Sequence, residues 1–162
     1  MDARRIAPAV SPGDVAACRA LLEEYWASQA FAPCFQGFDR ELAGLPGDYA
    51  PPRGCLLIAT VEGRAAGCVA VRPLPQPRAA EMKRLYVRDA FRGTGLGSAL
   101  ARAAIGRARD LGYRELLLDT MPSMAAAQAL YAALGFLDVP RYNDNEAAGV
   151  RFMRLALGAP TA

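Results

Sequence analysis

The stretch EMKRLYVRDAFRGTGLGSALARAA, residues 81–104, restricts what this chain can fold into more than any other. It begins as an apolar run suited to a strand. It then crosses three alternate glycines, Gly93, Gly95 and Gly97, and continues as an alanine-rich helix. A strand that passes to a helix through glycine leaves backbone N–H groups unbonded at the helix start, where the dipole favours negative charge. Without side chains in the way, a bulky anionic group can come close. The pattern predicts an α/β chain carrying an anion site made of backbone.

The rest of the sequence bounds the chemistry. The 162 residues suffice for one domain with a hydrophobic core, 1–162, and the 53% apolar fraction argues against disorder. No apolar run is long enough to cross a membrane, and MDARRIAPAV lacks a signal-peptide core, so a cytoplasmic protein is expected. The net charge of +3, with acids and bases interspersed, is a mild bias toward anionic ligands and not a nucleic-acid footprint. Cys18, Cys34, Cys55 and Cys68 form no CxxC pair and no metal-ligand spacing, and read as reduced thiols. The chain has no histidine. A nucleophile activated by histidine and a histidine-ligated zinc are therefore excluded, and no metal is expected. Acid–base work falls to Glu, Asp, Tyr, Cys or the sole lysine, Lys83.

Periodicity and punctuation outline the elements. Residues 3–10 read as a first strand. Ser11, Pro12 and Asp14 open a helix whose apolar positions, Val15, Cys18, Leu21, Leu22, Tyr25 and Trp26, share a face. A short helix follows around FDRELAGL, then the loop LPGDYAPPRG. CLLIATVE and AAGCVAVRPL read as a hairpin turning at Gly63-Arg64, and 81–87 as a further strand. A helix from about 95 to Leu111 ends at Gly112, and ELLLD is a strand buried on both faces. Pro122-Ser123 starts a last helix closed by Gly135, and strands near 136–142 and 149–157 complete the chain.

Three glycine-loop readings compete. A Walker A loop needs GxxxxGK, and no lysine follows here. A dinucleotide fingerprint starting at Gly93 puts its third glycine on Ser98. The third reading is a resemblance. Arg92-x-x-Gly95-x-Gly97 after a strand ending in Val87 is similar to the acetyl-CoA pyrophosphate loop of the GNAT superfamily of N-acetyltransferases. ALYAALGF, 129–136, resembles that family's LYxxxGF segment, and the order of elements agrees over nearly the whole chain. The resemblance implies a mixed α/β fold: a mostly antiparallel sheet of six to seven strands, flanked by about four helices and splayed at its two central strands. It also implies that acetyl-CoA is bound by Arg92, Gly93, Thr94, Gly95, Leu96, Gly97 and Ser98 at the pyrophosphate. Leu85, Tyr86 and Val87 are then expected along the pantetheine arm. Where many members carry an asparagine before the last helix this chain has Met124, which leaves Ser123 as the polar contact.

Transfer to an amine needs a base, because an alkylammonium with a pKa near about 10 has no lone pair to attack with. It also needs a donor for the oxyanion and a proton for the leaving thiolate. By resemblance Tyr131 is the acid. Glu81 is the candidate base, acting by a water relay or a burial-raised pKa, with Asp119 as its substitute. Acceptor recognition is expected from Tyr25, Trp26, Phe35, Phe38, Tyr142, Asn143 and Asn145. The implied function is direct, ternary-complex transfer from acetyl-CoA to a primary amine of a small molecule or amino acid. An acyl-CoA-binding sensor and a protein N-terminal or lysine acetyltransferase are the alternatives. No nucleic-acid or membrane partner is expected, and a homodimer stays open.

Overall fold

The computed structural model describes residues 3–28 and 36–158. Its strands are β1 (Arg4–Pro8), β2 (Cys55–Val61), β3 (Arg64–Pro73), β4 (Ala79–Val87), β5 (Glu115–Thr120), β6 (Leu137–Val139) and β7 (Arg151–Ala156). The helices are α1 (Pro12–Ala27), α2 (Gln36–Ala43), α3 (Leu96–Asp110) and α4 (Ala125–Ala133). One sheet runs β1-β2-β3-β4-β5-β7-β6, antiparallel throughout except between β4 and β5. No helix among the described residues is long and apolar enough to cross a membrane. Cys34 and Phe35 lie outside the described residues.

Local chemistry explains where the elements start and turn. The Ser11 hydroxyl accepts from the Asp14 amide at 3.1 Å, a cap that contributes about 1 kcal/mol. The β2–β3 hairpin turns on Glu62-Gly63, one residue earlier than the sequence suggests. Both residues have positive φ, 51° and 78°, as a two-residue primed turn requires.

The sheet buries both faces. On one, Leu96, Leu100, Ala101, Ala104, Ile105 and Ala108 of α3 pack with Leu57, Val69, Val71, Met82, Leu116 and Leu118. The alanines let α3 lie close, and burying Leu100 completely contributes about 1.5–3 kcal/mol. On the other face, Cys18, Leu21 and Leu22 of α1 meet Leu56, Ile58, Cys68, Ala70, Tyr86 and Phe38. Trp26 stacks on Phe38 at 4.2 Å in this second core.

The sheet opens at its centre. Parallel pairing between β4 and β5 is confined to Ala79–Glu115, Ala80–Leu116 and Glu81–Leu117, and beyond Glu81 the two strands separate. The cause lies on the other edge of β4. Between Cys68 and Ala70 the β3–β4 register shifts, and β4 accommodates an extra residue around Arg84, whose φ is 63°. A bulge of this kind bends its strand away from a neighbour.

Candidate active site

Two features meet where the sheet opens. The first is the glycine loop. Gly93 and Gly95 have φ of 75° and 84°, and Gly95 stands as the N-cap of α3. The first amide of the turn to find an intrahelical acceptor is that of Ala99, bonded to Gly95 O at 3.0 Å. Among the described residues the N–H groups of Gly93 to Ser98 have no protein acceptor. Side chains brace the loop from outside: Thr94 Oγ1 donates to Phe91 O at 2.6 Å, and Arg4 Nη2 donates to Thr94 O at 2.9 Å. Arg92 folds back, its Nε donating to Val87 O at 2.9 Å and its Nη1 pairing with Asp89 at 2.8 Å. A Cβ at Gly97 would meet the side chains of Val87 and Leu130 at 3.8 and 4.0 Å, so α3, the end of β4 and α4 converge.

The second feature is the free edge of β4. Arg88 N donates to Ala66 O of the β3 side, so by the alternation of a strand Val87 turns its backbone groups away from β3, its carbonyl to Arg92 Nε and its N–H into the gap, where Leu85 directs its own two residues earlier. Tyr86, expected beside them, is turned away. Its backbone lies in register with Cys68 of β3 and its ring meets Tyr25 edge-on at 5.6 Å. At the end of β5 the Thr120 hydroxyl is buried without a partner. Ser123 is exposed, and the N-cap of α4, Met124, offers no capping side chain. Unbonded amides, an unpaired strand edge and an orphaned hydroxyl fit a long ligand that carries phosphates at one end and amide groups along its length.

On the opposite face, charged and polar side chains from three strands and one loop surround Glu81. Glu81 is wholly buried, not at the surface. Arg72, directly opposite it in the β3–β4 register, donates through Nε to Oε1 at 2.8 Å, and its Nη2 forms an ion pair with the same oxygen at 2.8 Å. Oε2 accepts from the Tyr142 hydroxyl at 2.5 Å and from Asn143 Nδ2 at 3.3 Å. Lys83 Nζ lies between the carboxylates, 3.6 Å from Asp119 and 3.9 Å from Glu81. Asp119 also accepts from Asn143 at 2.9 Å and Asn145 at 3.2 Å. Nearby, Arg84 holds Glu41 in a two-bond fork at 2.8 and 3.0 Å.

Burial alone would push the Asp119 carboxyl up, but the Lys83 charge and the two asparagine amides outweigh it and hold it below its ordinary value. Glu41 is lowered in the same way, burial being outweighed by the bonds and charge of Arg84. Asp119 is therefore a poor proton acceptor, which weakens it as a substitute base. A carboxyl lowered by folding contributes stability that is fully present above its unfolded pKa, near about 4, and is lost as pH falls through the folded value. Thermal unfolding temperatures are expected to drop on acidification below that range, and Asp119→Asn should flatten part of the drop.

Tyr131 is buried beside Phe136, ring centroids 5.7 Å apart. Burial, followed by the charges of Tyr25 and Asp119, keeps its phenol protonated well above the ordinary value. Its hydroxyl makes no hydrogen bond with any described residue. Among the acceptor residues expected from sequence, Tyr142, Asn143 and Asn145 join the cluster, and Tyr25 lies near Asp119. Trp26 and Phe38 instead build the second core. Sequence reasoning missed Arg72 and the Arg84–Glu41 pair. The available signal for Arg72 was a lone charge at the end of the apolar run AAGCVAV.

A family model for the acetyltransferase (GNAT) family matches residues 18–136. The chain is a GNAT acetyltransferase. It is 40% identical over 147 residues to an uncharacterized N-acetyltransferase of Schizosaccharomyces pombe, covering 90% of each chain. It is 32% identical to the N-acetylaspartate synthetase of Danio rerio over 68% of this chain and 39% of that protein. In fold it resembles a GNAT acetyltransferase of Staphylococcus aureus, with a TM-score of 0.81 and 15% identity over 96% of this chain and 99% of the other. A Salmonella typhimurium acetyltransferase, whose structure contains its cofactor acetyl-CoA, has a TM-score of 0.71 and 24% identity over 99% of each chain. The enzyme is thus an acyltransferase, and its family uses acetyl-CoA. The sheet, opened at β4 and β5, is the fold that the resemblance implied.

Proposed function

We propose that this acetyltransferase moves the acetyl group of acetyl-CoA directly to the primary amine of a small molecule or an amino acid. The observation that carries the proposal is the end of β4–β5 pairing at Glu81. It opens a gap with unbonded amides at one end and a buried carboxylate network on its opposite face. The amides of residues 93–98 would receive the pyrophosphate, and the free edge of β4 the pantetheine amides and the acetyl oxygen. Acetyl-CoA supplies a thioester whose C–S bond breaks as the C–N bond forms. The nitrogen gives up two protons on the way to the amide: Glu81 takes the first, before attack, and the second, lost as the tetrahedral adduct collapses, makes good the proton that Tyr131 gives to the departing sulfur.

Transfer through an acetyl-cysteine is disfavoured. Burial pushes the Cys18 thiol up to about 12, raises Cys55, and holds Cys68 well above its ordinary value, so none of these is a ready nucleophile. The acceptor side is close to electroneutral, with Arg72, Lys83 and Arg84 set against Glu41, Glu81 and Asp119. Such a surface, lined with asparagine amides, suits a small polar amine. The test is a calorimetric titration with acetyl-CoA followed by thiol release across a panel of amino acids, polyamines and simple alkylamines. Binding with release is the expected result. Binding without release from any amine would favour the sensor reading, and absence of binding would refute the site.

A further inference from the structure

Glu81 has no exposed surface, so an acceptor amine cannot touch it. Both of its oxygens are already occupied, Oε1 by Arg72 and Oε2 by Tyr142 and Asn143. A proton reaches this carboxylate only through a group in contact with it. Arg72 is permanently charged: burial disfavours its guanidinium, but Glu81, with Tyr49 and Glu41, outweighs that cost. Asn143 has no exchangeable charge state. Lys83 Nζ lies 3.9 Å from Glu81, outside hydrogen-bond distance, and is drawn toward Asp119. Tyr142 remains. Its hydroxyl is 2.5 Å from Oε2, the residue is half-buried, and a hydroxyl can donate one proton while accepting another.

We infer that Tyr142 is the port through which Glu81 deprotonates the acceptor, an inference that rests on Glu81 being the base. The ammonium N–H bond breaks toward Tyr142 Oη as the Tyr142 proton passes to Glu81 Oε2. The amine gains its lone pair, Glu81 becomes neutral, and Tyr142 is unchanged. Burial and the Glu81 charge disfavour a tyrosinate at this position, so the two proton movements belong to one concerted step. This path replaces the water relay that a buried carboxylate otherwise needs.

The fold holds the hydroxyl there from several sides. The Tyr142 ring meets Phe152 of β7 edge-on at 5.4 Å, and Phe152 lies opposite Asp119 in the sheet. The loop 140–150 is wound on itself: Asn143 and Asn145 side chains cap the amides of Asn145 and Ala147, while Arg141 donates to the carbonyls of Asn143 and Asn145. Asn143 and Asn145 then tie it to Asp119. At its far end Gly149 sits so close to Pro122 that a Cβ would approach to 2.6 Å. The loop thus acts as a strap that carries a proton donor–acceptor to the mouth of the opened sheet.

The test compares wild type, Glu81→Gln, Tyr142→Phe and the double variant, using the fastest amine of the panel at saturating acetyl-CoA, from neutral pH upward. Each single variant is expected to lose about 100-fold in kcat/KM near neutrality, and the double variant little more, because the two residues act as one unit. The Tyr142→Phe deficit should then shrink by about tenfold per pH unit as the amine approaches its own pKa near 10 and deprotonates unaided. A strap that only positions the acceptor predicts the same deficit at every pH, and that result would overturn the relay. So would a Tyr142→Phe variant that stays within about threefold of wild type while Glu81→Gln is impaired. If Glu81→Gln itself stays near wild type, the base assignment falls, and the relay with it.

Discussion

Replacing Gly95 with aspartate is expected to abolish binding of acetyl-CoA while leaving the protein folded. Nothing lies within 4 Å of a Cβ built at Gly95, so the free protein has room for the side chain. The residue sits at φ 84°, a left-handed conformation that costs an L-residue about 1–2 kcal/mol and that aspartate tolerates better than most. The damage comes from charge. A carboxylate at the N-cap of α3 would stand among the amides of residues 93–98, which are expected to face the pyrophosphate. Two unit charges 4 Å apart at an effective dielectric constant of about 20 repel by about 4 kcal/mol, roughly a thousandfold in Kd. Gly95→Ala is the control, since it adds the backbone strain without the charge and should lose about tenfold or less. Calorimetry reads both variants, and a thermal melt checks the fold. Aspartate at 95 with unimpaired binding would mean that the glycine loop holds something other than the phosphates.

Tyr131→Phe should lower kcat by about 100-fold, with acetyl-CoA affinity unchanged within about threefold. The substitution is clean because the phenol has no described hydrogen-bond partner, so removing it orphans no buried group. Its raised pKa sets the size of the effect. A phenol held protonated by burial, Tyr25 and Asp119 is always available as a donor but is a reluctant acid. It can stabilise a developing thiolate through a strong hydrogen bond before full proton transfer, which belongs at the lower end of acid catalysis. The deficit should be smaller for an acyl donor with a more acidic leaving thiol. If kcat is unchanged with acetyl-CoA, Tyr131 is a core aromatic and the sulfur is protonated by solvent.

Features readable from sequence were those whose cause is local. Ser11 caps α1 because an N-cap needs only a hydroxyl and the amide three residues on. The glycines marked the passage from strand to α3, and the structure gives Gly93 and Gly95 the positive φ that glycine adopts at no steric cost, a local effect with no distant partner. ELLLD was readable as a strand covered on both faces from its unbroken apolar run. The hairpin turn was misplaced by one residue because Glu62, an unfavourable residue at positive φ, takes the first turn position under the register of β2 and β3.

Around Glu81, sequence and structure part company. The sequence offered Glu81 as a carboxylate near Lys83 and Arg84, its neighbours along the chain. Strand alternation and the bulge at Arg84 instead send Arg84 to Glu41 on α2, and the antiparallel register brings Arg72 to Glu81. Tyr142, 61 residues away, reaches the same carboxylate through the loop after β6, and Asn143 reaches Asp119 across 24 residues. By itself the sequence determined that a glycine turn joins a strand to a helix there, because backbone conformation at that point follows from residue type. Only the tertiary structure decided which charges meet, how deeply Glu81 is buried and which hydroxyl guards it. Those are properties of strand register and loop docking, which no short stretch of residues encodes.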